Sequence, residues 1–396
     1  MSQLRPILLA TAPTHPRASV DTATLLAALE ASGATGRAVQ WDAQDVDFRD
    51  HVVLLHSPWD YQHKLETFLS WCDAVETTGQ LVNPAATVRW NIHKRYLLEL
   101  AAGGVPTLPT ALLDRSTPLD DARQAAERAA GSWATTKLVW KPAVGAGADG
   151  LFVWDVSTPF PSPKVEDLLV RGDVLLQAYA GRIETEGELS VVCFEGIPAH
   201  VVHKFPAAGD YRVQLHFGGR YEVRAPRPEE AHLAERILAA APHPNTYARV
   251  DLIPSPEGGW ALGELEVIEP ELFLRHAPES AARFAGVLAR IAALTASIAE
   301  LGLIETSRAT RFARTFASRT LGGHRHDLLA RIAAVRSMPT TTGDFRGHTT
   351  GLHAQFRRVS PVSVERRAHR FCVEPERARS TGAPAYIGTP SSEHRT

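Results

Sequence analysis

Cysteine and methionine are scarce in this chain of 396 residues, which has three of the first and two of the second. Cys72, Cys193 and Cys372 are odd in number, far apart and form no CxxC. That excludes a disulfide framework and a structural zinc site, and leaves incidental thiols in a reducing compartment. No stretch approaches the roughly 18 consecutive apolar residues that mark a membrane span. The first residues, Met1 to Pro6, lack the apolar core of a signal peptide. A cytoplasmic protein with no membrane partner is expected. No Ser/His/Asp or Cys/His arrangement stands out. His200, His203, His216 and His276 lack metal-ligand spacing and read as packing or surface residues.

What is present is ordinary globular usage, 44% hydrophobic and 22% charged, so whole-chain disorder is excluded. The net charge of −2 hides an asymmetry. From Arg308 onward there are 16 Arg, no Lys and 6 acidic residues, a net +10, and residues 1–307 carry −12. In that last stretch only Asp327–Val335 has helical spacing, so residues 307–396 read as an Arg-rich, poorly ordered tail. Arginine suits counterion release from nucleic acid. Without aromatic interleaving or a folded module, however, a nucleic-acid partner is not expected.

Residues 1–86 alternate apolar runs with helical spacing: strands at Pro6–Thr11, Ala38–Trp41 and His51–His56, helices at Val20–Ala31 and Lys64–Val75. This is the pattern of a small parallel α/β domain. The loop Ser57–Tyr61 follows the third strand, where open α/β sheets place ligands. Trp59 and Asp60 there are candidates for substrate contact, the alternative being a capped turn with Trp59 in the core. Beyond Leu81–Pro84 the reading becomes α+β on a largely antiparallel sheet. A helix spans Asn91–Ala102, and the strand Lys137–Lys141 turns through a glycine-rich loop into Leu151–Trp154. Further strands lie at 174–177, 189–194, 200–204 and 212–217, with helices at Pro228–Ala241 and Pro278–Ala299. Two subdomains, 87–180 and 181–306, are expected after the first domain.

Two groups of residues suggest chemistry. Lys141 meets a loop with Gly145, Gly147 and Gly150, where backbone N–H groups can approach phosphates and the lysine supplies a point charge. Because strand leads to strand, this is neither a Rossmann nor a Walker arrangement, and a plain hairpin turn is the alternative. Asp251 lies on the strand Tyr247–Ile253, and Glu264 and Glu266 lie on the strand Trp260–Val267. Alternation puts both glutamates on one face, and antiparallel pairing brings Asp251 beside them. Three carboxylates together suggest a cation, and hard oxygen donors suit Mg²⁺ or Mn²⁺, the alternative being a solvated sheet face. Arg249 shares the face of Asp251 and is placed to stabilise developing charge.

The order Lys94, Lys141, Gln177-Ala-Tyr179, Gly187-Glu188, Arg249-Val-Asp251, Glu264-Leu-Glu266 resembles the ATP-grasp superfamily of carboxylate–amine ligases. The segment Gly209–Gly219 is similar to the G-[DE]-[FY]-R-x-N-x3-G-G loop of bacterial glutathione synthetases and ribosomal-protein glutamate ligases. Glu264–Pro270 is similar to the E-x-N-x3-P of the former. His56–Tyr61 and Asn83–Leu97 resemble the branch that contains a cyclo-ligase closing O-ureido-D-serine to cycloserine. The resemblance covers roughly residues 5–300.

It implies an ATP-grasp fold: an N-terminal parallel α/β domain followed by two ATP-clasping subdomains. It also implies roles. Lys94 and Lys141 would contact the α- and β-phosphates, and the loop Gly145–Gly150 would close over them. Gln177 to Tyr179 would form the adenine hinge through backbone groups, and Glu188 would take the ribose hydroxyls. Lys204 and Arg212 would reach the γ-phosphate, and Arg249 would stabilise the transition state. Asp251, Glu264 and Glu266 would hold two Mg²⁺ ions. Two positions depart from the pattern. Glu266 replaces the usual Asn, which shifts preference toward Mn²⁺, and Gln214 replaces the loop Asn. Glu269 and Glu271 flank Pro270 where relatives contact substrate, and either is a candidate for an amine, with surface charge as the alternative. The implied activity is an ATP- and Mg²⁺-dependent ligase forming a C–N bond on a small-molecule carboxylate, an amino acid or similar. Ring closure and two-substrate ligation are both open, as is a homo-oligomeric state. The rivals are a non-catalytic ATP-binding module with a basic tail and a phosphoryl-transfer enzyme of the same fold.

Overall fold

Ile7–Thr11 (β1) is apolar at four of five positions and those four are fully buried, as a central strand covered on both faces must be. Alternation divides it between two cores. Ile7 and Leu9 pack with Phe284 and Leu288 from the C-terminal helix, whereas Leu8 and Ala10 pack with Trp41 and Phe68. The computed structural model of the protein describes residues 4–12, 16–147, 149–207, 213 and 218–300. All of these lie in the first of the two units into which the chain divides, residues 1–332 and 333–396. The expected strand at 212–217, with Arg212 and Gln214, and the tail 307–396 lie outside the described residues.

The first sheet has the order β2-β1-β3-β4, with β2 at Gly36–Gln40, β3 at Val52–Ser57 and β4 at Gln80–Val82. Every pairing in it is parallel. Helices α1 (Pro16–Ala31) and α2 (Leu65–Thr78) make the crossovers.

Two short helices follow, α3 (Ala85–Asn91) and α4 (Tyr96–Ala102). The single helix expected over 91–102 is therefore broken, and Lys94 sits in the turn rather than on a helix. The cause is tertiary: the Lys94 N–H donates to the Ala143 carbonyl at 2.7 Å instead of to a preceding turn.

The second sheet is antiparallel, in the order β5-β8-β6-β7. Its strands are β5 (Thr110–Leu113), β6 (Lys137–Pro142), β7 (Phe152–Asp155) and β8 (Val174–Ala178). One face is covered by α5 (Leu119–Ser132) and α6 (Ser162–Arg171). After a short turn of helix, α7 (Ile183–Glu186), comes the third sheet. It comprises β9 (Glu188–Phe194), β10 (Ile197–Phe205), β11 (Arg220–Arg224), β12 (Tyr247–Pro254) and β13 (Trp260–Glu266), in the antiparallel order β11-β10-β9-β12-β13. Helix α8 (Pro228–Ala240) packs on it, and α9 (Pro278–Glu300) returns to the first sheet. Cys72 and Cys193 are unpaired, buried core thiols. No described helix is long and apolar enough to cross a membrane.

Candidate active site

A cavity of about 490 Å³ opens among the three sheets, and strand alternation supplies its walls. On β6, Leu138 and Trp140 enter the core under α5 and α6, so Val139 and Lys141 face the cavity. On β12, Ala248, Val250 and Leu252 are core residues, so Arg249 and Asp251 face it. The β12–β13 register sets Arg249 opposite Glu266 and Asp251 opposite Glu264, the juxtaposition that alternation and antiparallel pairing predict. The chain's lysines are Lys64, Lys94, Lys137, Lys141, Lys164 and Lys204. Three of these, Lys94, Lys141 and Lys204, line the cavity, and they are only 8, 8 and 6% exposed. Long cationic side chains are almost never buried this deeply without an anion to meet.

The charges form a connected network. Arg249 donates to Asp251 from Nε (2.9 Å) and Nη2 (2.8 Å), to Glu266 Oε1 from Nη2 (2.5 Å) and to the Glu271 carbonyl from Nη1 (3.2 Å). Ser190 donates its hydroxyl to Asp251. Lys204 Nζ bonds Glu188 Oε1 at 2.7 Å and stands 4.0 Å from Asp251. Lys94 Nζ lies 3.1 Å from Glu264 and donates to the Gly145 carbonyl at 2.8 Å, tying the glycine-rich loop to β13. From behind, Asn91 donates to the Leu265 carbonyl and accepts from the Val267 N–H, and Tyr96 accepts from the Leu265 N–H. The strand that carries Glu264 and Glu266 is thus fixed through the backbone of their neighbours Leu265 and Val267.

Protonation follows from this arrangement. Burial disfavours the charged forms of Asp251 and Glu264, but Arg249 and Lys204 on the first, and Lys94 and Lys141 on the second, outweigh it and hold both below the usual carboxylate range. Burial lowers the pKa of Lys141, and its nearest acids do not compensate fully. Glu266 goes the other way, pushed up to about 8 by burial and by Asp251, Glu264 and Glu269 against the pull of Arg249. Its side chain keeps 28% of its surface open to the cavity, so water or a cation can relieve that crowding. Glu269 is raised to about 7, chiefly by burial.

Among the described residues no three His, Cys, Asp or Glu side chains stand close enough to hold a metal ion as they are. Arg249 draws Asp251 and Glu266 to itself, and Lys94 draws Glu264. The donor set nevertheless fits a hard divalent cation. It is all carboxylate oxygen on one cavity wall, and Glu266 is short of positive charge.

The other expected residues fall into three groups. Trp59, Gly145, Gly147, Gln177, Tyr179, Glu188 and Glu269 line the cavity. Trp59 donates from its indole to the Glu269 carbonyl at 3.0 Å, so the N-terminal loop reaches the segment after β13. Asp60 is turned away: it accepts from the Trp41 indole at 2.8 Å and from Lys64 at 3.2 Å. It is not among the residues that line the cavity. Gly150 sits at the edge of the loop, where a Cβ would come within 3.0 Å of Leu168. The hinge reading also narrows. The N–H groups of Ala178 and Tyr179 already donate to the carbonyls of Pro109 and Lys137, so they are not free for a base. Tyr61, at the end of the loop already singled out, and Phe273, which no sequence pattern singles out, line the cavity as well.

Gly187 sets the entry of Glu188. Its φ is +73°, and a Cβ there would lie 2.2 Å from the Lys204 carbonyl. Gly187→Ala is expected to lower stability by about 2 kcal/mol or more and to misplace Glu188. Thermal unfolding checks the first part, and a melting temperature equal to wild type would contradict it.

One parallel and two antiparallel sheets, closing on a cavity rich in buried lysine and carboxylate, define an ATP-grasp ligase, an enzyme that forms carbon–nitrogen bonds. Residues 7–83 match the family model of the D-cycloserine synthetase DcsG N-terminal domain. The cycloserine biosynthesis protein DcsG of Streptomyces lavendulae is 31% identical over 282 residues, spanning 68% of this chain and 93% of that protein. The crystal structure of D-cycloserine synthetase DcsG superposes with a TM-score of 0.66 at 29% identity, over 72% of this chain and 99% of that one. D-alanyl-alanine synthetase A of Vibrio cholerae shares the fold, with a TM-score of 0.56 at 15% identity over 75% of this chain and 99% of its own. The chain belongs to the DcsG family.

Proposed function

We propose that this enzyme uses ATP to activate a small-molecule carboxylate, an amino acid or close analogue, as an acyl phosphate. A nitrogen nucleophile then captures the acyl group, by ring closure within the same molecule as the cycloserine-forming relatives suggest. The observation that carries the reading is the convergence of Lys94, Lys141, Lys204 and Arg249 with Asp251, Glu264 and Glu266 on one cavity.

A carboxylate is a poor acyl donor. One of its oxygens attacks the γ-phosphorus, the bond to the bridging oxygen breaks, and ADP leaves with the electron pair. Nitrogen then attacks the acyl carbon, phosphate departs with the C–O pair, and the nitrogen proton passes to phosphate or water. Nothing here demands a covalent protein intermediate, and positioning with charge neutralisation carries the catalysis. In this reading Lys94 and Lys141 hold the α- and β-phosphates, and the loop Gly145–Gly150 covers them. Glu188, shared with Lys204, takes the ribose, while Gln177 and the remaining backbone groups of 178–180 take adenine. Arg249 offsets charge on the transferring group, with Arg212 as its partner from outside the described residues. Asp251, Glu264 and Glu266 would hold Mg²⁺, with Mn²⁺ as an alternative, to neutralise the phosphates. Residues 1–86 form the substrate-side lobe with Trp59 and Glu269 at its seam, and 87–180 and 181–306 clasp the nucleotide.

The test is ATP-dependent phosphate release across D- and L-amino acids and O-ureido-D-serine, with hydroxylamine as a trap. Phosphate together with a hydroxamate of one carboxylate is expected. Phosphate without any hydroxamate would overturn the acyl phosphate. Turnover on a single organic substrate supports ring closure, and a requirement for two overturns it.

A further inference from the structure

Phe273 has a backbone conformation that aromatic residues avoid. With φ 52° and ψ 31° it lies in the left-handed region, where a bulky side chain is a genuine outlier. Among the described residues the other non-glycines with positive φ are Asp50, Asn83, Ala134 and Glu195. Asp and Asn tolerate this region through local hydrogen bonds, Ala134 leads from α5 to β6, and Glu195 lies in the β9–β10 turn. Phe273 differs from all four in being aromatic, and it is only 1% exposed, as buried as Asn83.

The conformation is held from both sides. Arg249 Nη1 donates to the Glu271 carbonyl, and His200 Nε2 bonds the Leu272 carbonyl at 3.1 Å. The His276 N–H donates to the Phe273 carbonyl at 3.0 Å. Arg275 is anchored by its own N–H and Nη1 on Asp21 Oδ1, at 3.1 and 3.0 Å. Strain so firmly over-determined at a cavity wall is a sign of use.

Its effect is to set the ring among three cations. Lys204 Nζ is 5.4 Å from the ring centroid, and the guanidinium carbons of Arg249 and Arg275 are each 5.8 Å away. Tyr221 packs edge-on at 5.6 Å. The ion pairs of these cations fall into two groups that meet at Glu271, whose carbonyl accepts from Arg249 and whose carboxylate pairs with Arg275. Lys204 and Arg249 turn to Asp251, Glu188 and Glu266, whereas Arg275 turns to Asp21 and Glu271. A π face attracts cations without neutralising them, so the ring adds to their carboxylate contacts and does not replace them.

We propose that Phe273 is a positioning residue: its ring is the shared wall that sets Arg249 and Lys204 toward Asp251 and keeps Arg275 with Asp21 and Glu271. The inference rests on the role of Arg249 and Lys204 given above, and it adds a residue that touches neither phosphate nor metal. Leucine removes the π face but keeps bulk. Glycine also removes the strain. Tyrosine keeps both ring and strain.

The hydroxamate assay is run on wild type, F273L, F273G and F273Y, with thermal unfolding and MgADP binding measured in parallel. F273L and F273G are expected to lose roughly 10- to 100-fold in kcat, the scale of a small misplacement of reacting groups, with MgADP affinity changed less than about threefold. F273Y is expected to stay within about threefold of wild type, since it keeps the cation–π wall. F273L with wild-type kcat, or F273Y as slow as F273L at equal melting temperature, would overturn the proposal. If wild type forms no hydroxamate with any carboxylate, the acyl-phosphate reading fails separately. A crystal structure of F273L then decides: Arg249 or Lys204 drawn off Asp251 upholds the positioning role, and both in place refutes it.

Discussion

Glu264→Gln is expected to slow ATP-dependent phosphate release by about a thousandfold, the scale of losing one charged partner of a transferring group, while the protein stays folded. Glu264 is ionised at neutral pH because Lys94 and Lys141 overcome the burial that would protonate it. Glutamine keeps the shape and one acceptor oxygen for Lys94, whose ammonium still holds the Gly145 carbonyl. The glycine-rich loop therefore retains its tie to the lysine. What disappears is one negative charge facing Lys94 and Lys141. The side chain is about a third open to the cavity, at 32%, so solvent screening keeps the effect on stability small. The expected pattern is a large loss of turnover with a melting temperature within a few degrees of wild type. Wild-type turnover in this variant would remove Glu264 from any role toward phosphate or metal. A collapse of the fold would instead make it a structural partner of Lys94.

The parts of the site that were legible in the sequence are those fixed by short-range rules. Arg249, Asp251, Glu264 and Glu266 could be placed on one face because strand alternation has period two and a tight antiparallel pair has few registers. Lys141 could be placed because β6 reads as a strand on its own. What was illegible depends on contacts between distant segments. Lys94 leaves its helix because a carbonyl nearly fifty residues away takes its N–H. Asp60 turns from the cavity because Trp41 and Lys64 take its carboxylate, and nothing in the string Ser57–Tyr61 records that. Phe273 carries no signal, since a positive φ at an aromatic residue is imposed by clamps from Arg249, His200 and Asp21. β4 has only three residues, too few to show a period, and β5 and β11 are no shorter than strands that the sequence does reveal. The two departures at Glu266 and Gln214 differ in the same way. Glu266 can be followed to Arg249, and Gln214 lies outside the described residues.

Acidification is expected to destabilise the protein through two buried histidines. His56 packs beneath α1 with Nε2 3.0 Å from the Thr22 hydroxyl, and burial pushes its pKa down to about 4. His200 is bonded on both nitrogens, to Ser280 and to the Leu272 carbonyl, and burial pushes it down to about 4 as well. A histidine whose folded pKa lies below its unfolded value of about 6.5 is protonated first in the unfolded chain. Its contribution is intact above pH 6.5 and is lost as pH falls through 4, by up to about 3 kcal/mol for each residue. The raised acids act with the opposite sign. Glu266 and Glu269, at about 8 and about 7, bind protons more readily when folded and so gain stability as pH falls toward the ordinary carboxylate range. The net slope of wild type is therefore a difference of opposing terms, and the histidine part is isolated by comparison. Melting temperatures of wild type, H56Q and H200Q are measured between pH 7.5 and 4.5. Each variant is expected to start lower at pH 7.5 and to converge on wild type as the pH falls. Parallel curves would show that these rings are protonated in the fold at no cost. The bond from His200 to the Leu272 carbonyl needs Nε2–H in both charge states, so protonation falls on Nδ1 and the Ser280 contact and leaves the tie beside Phe273 in place.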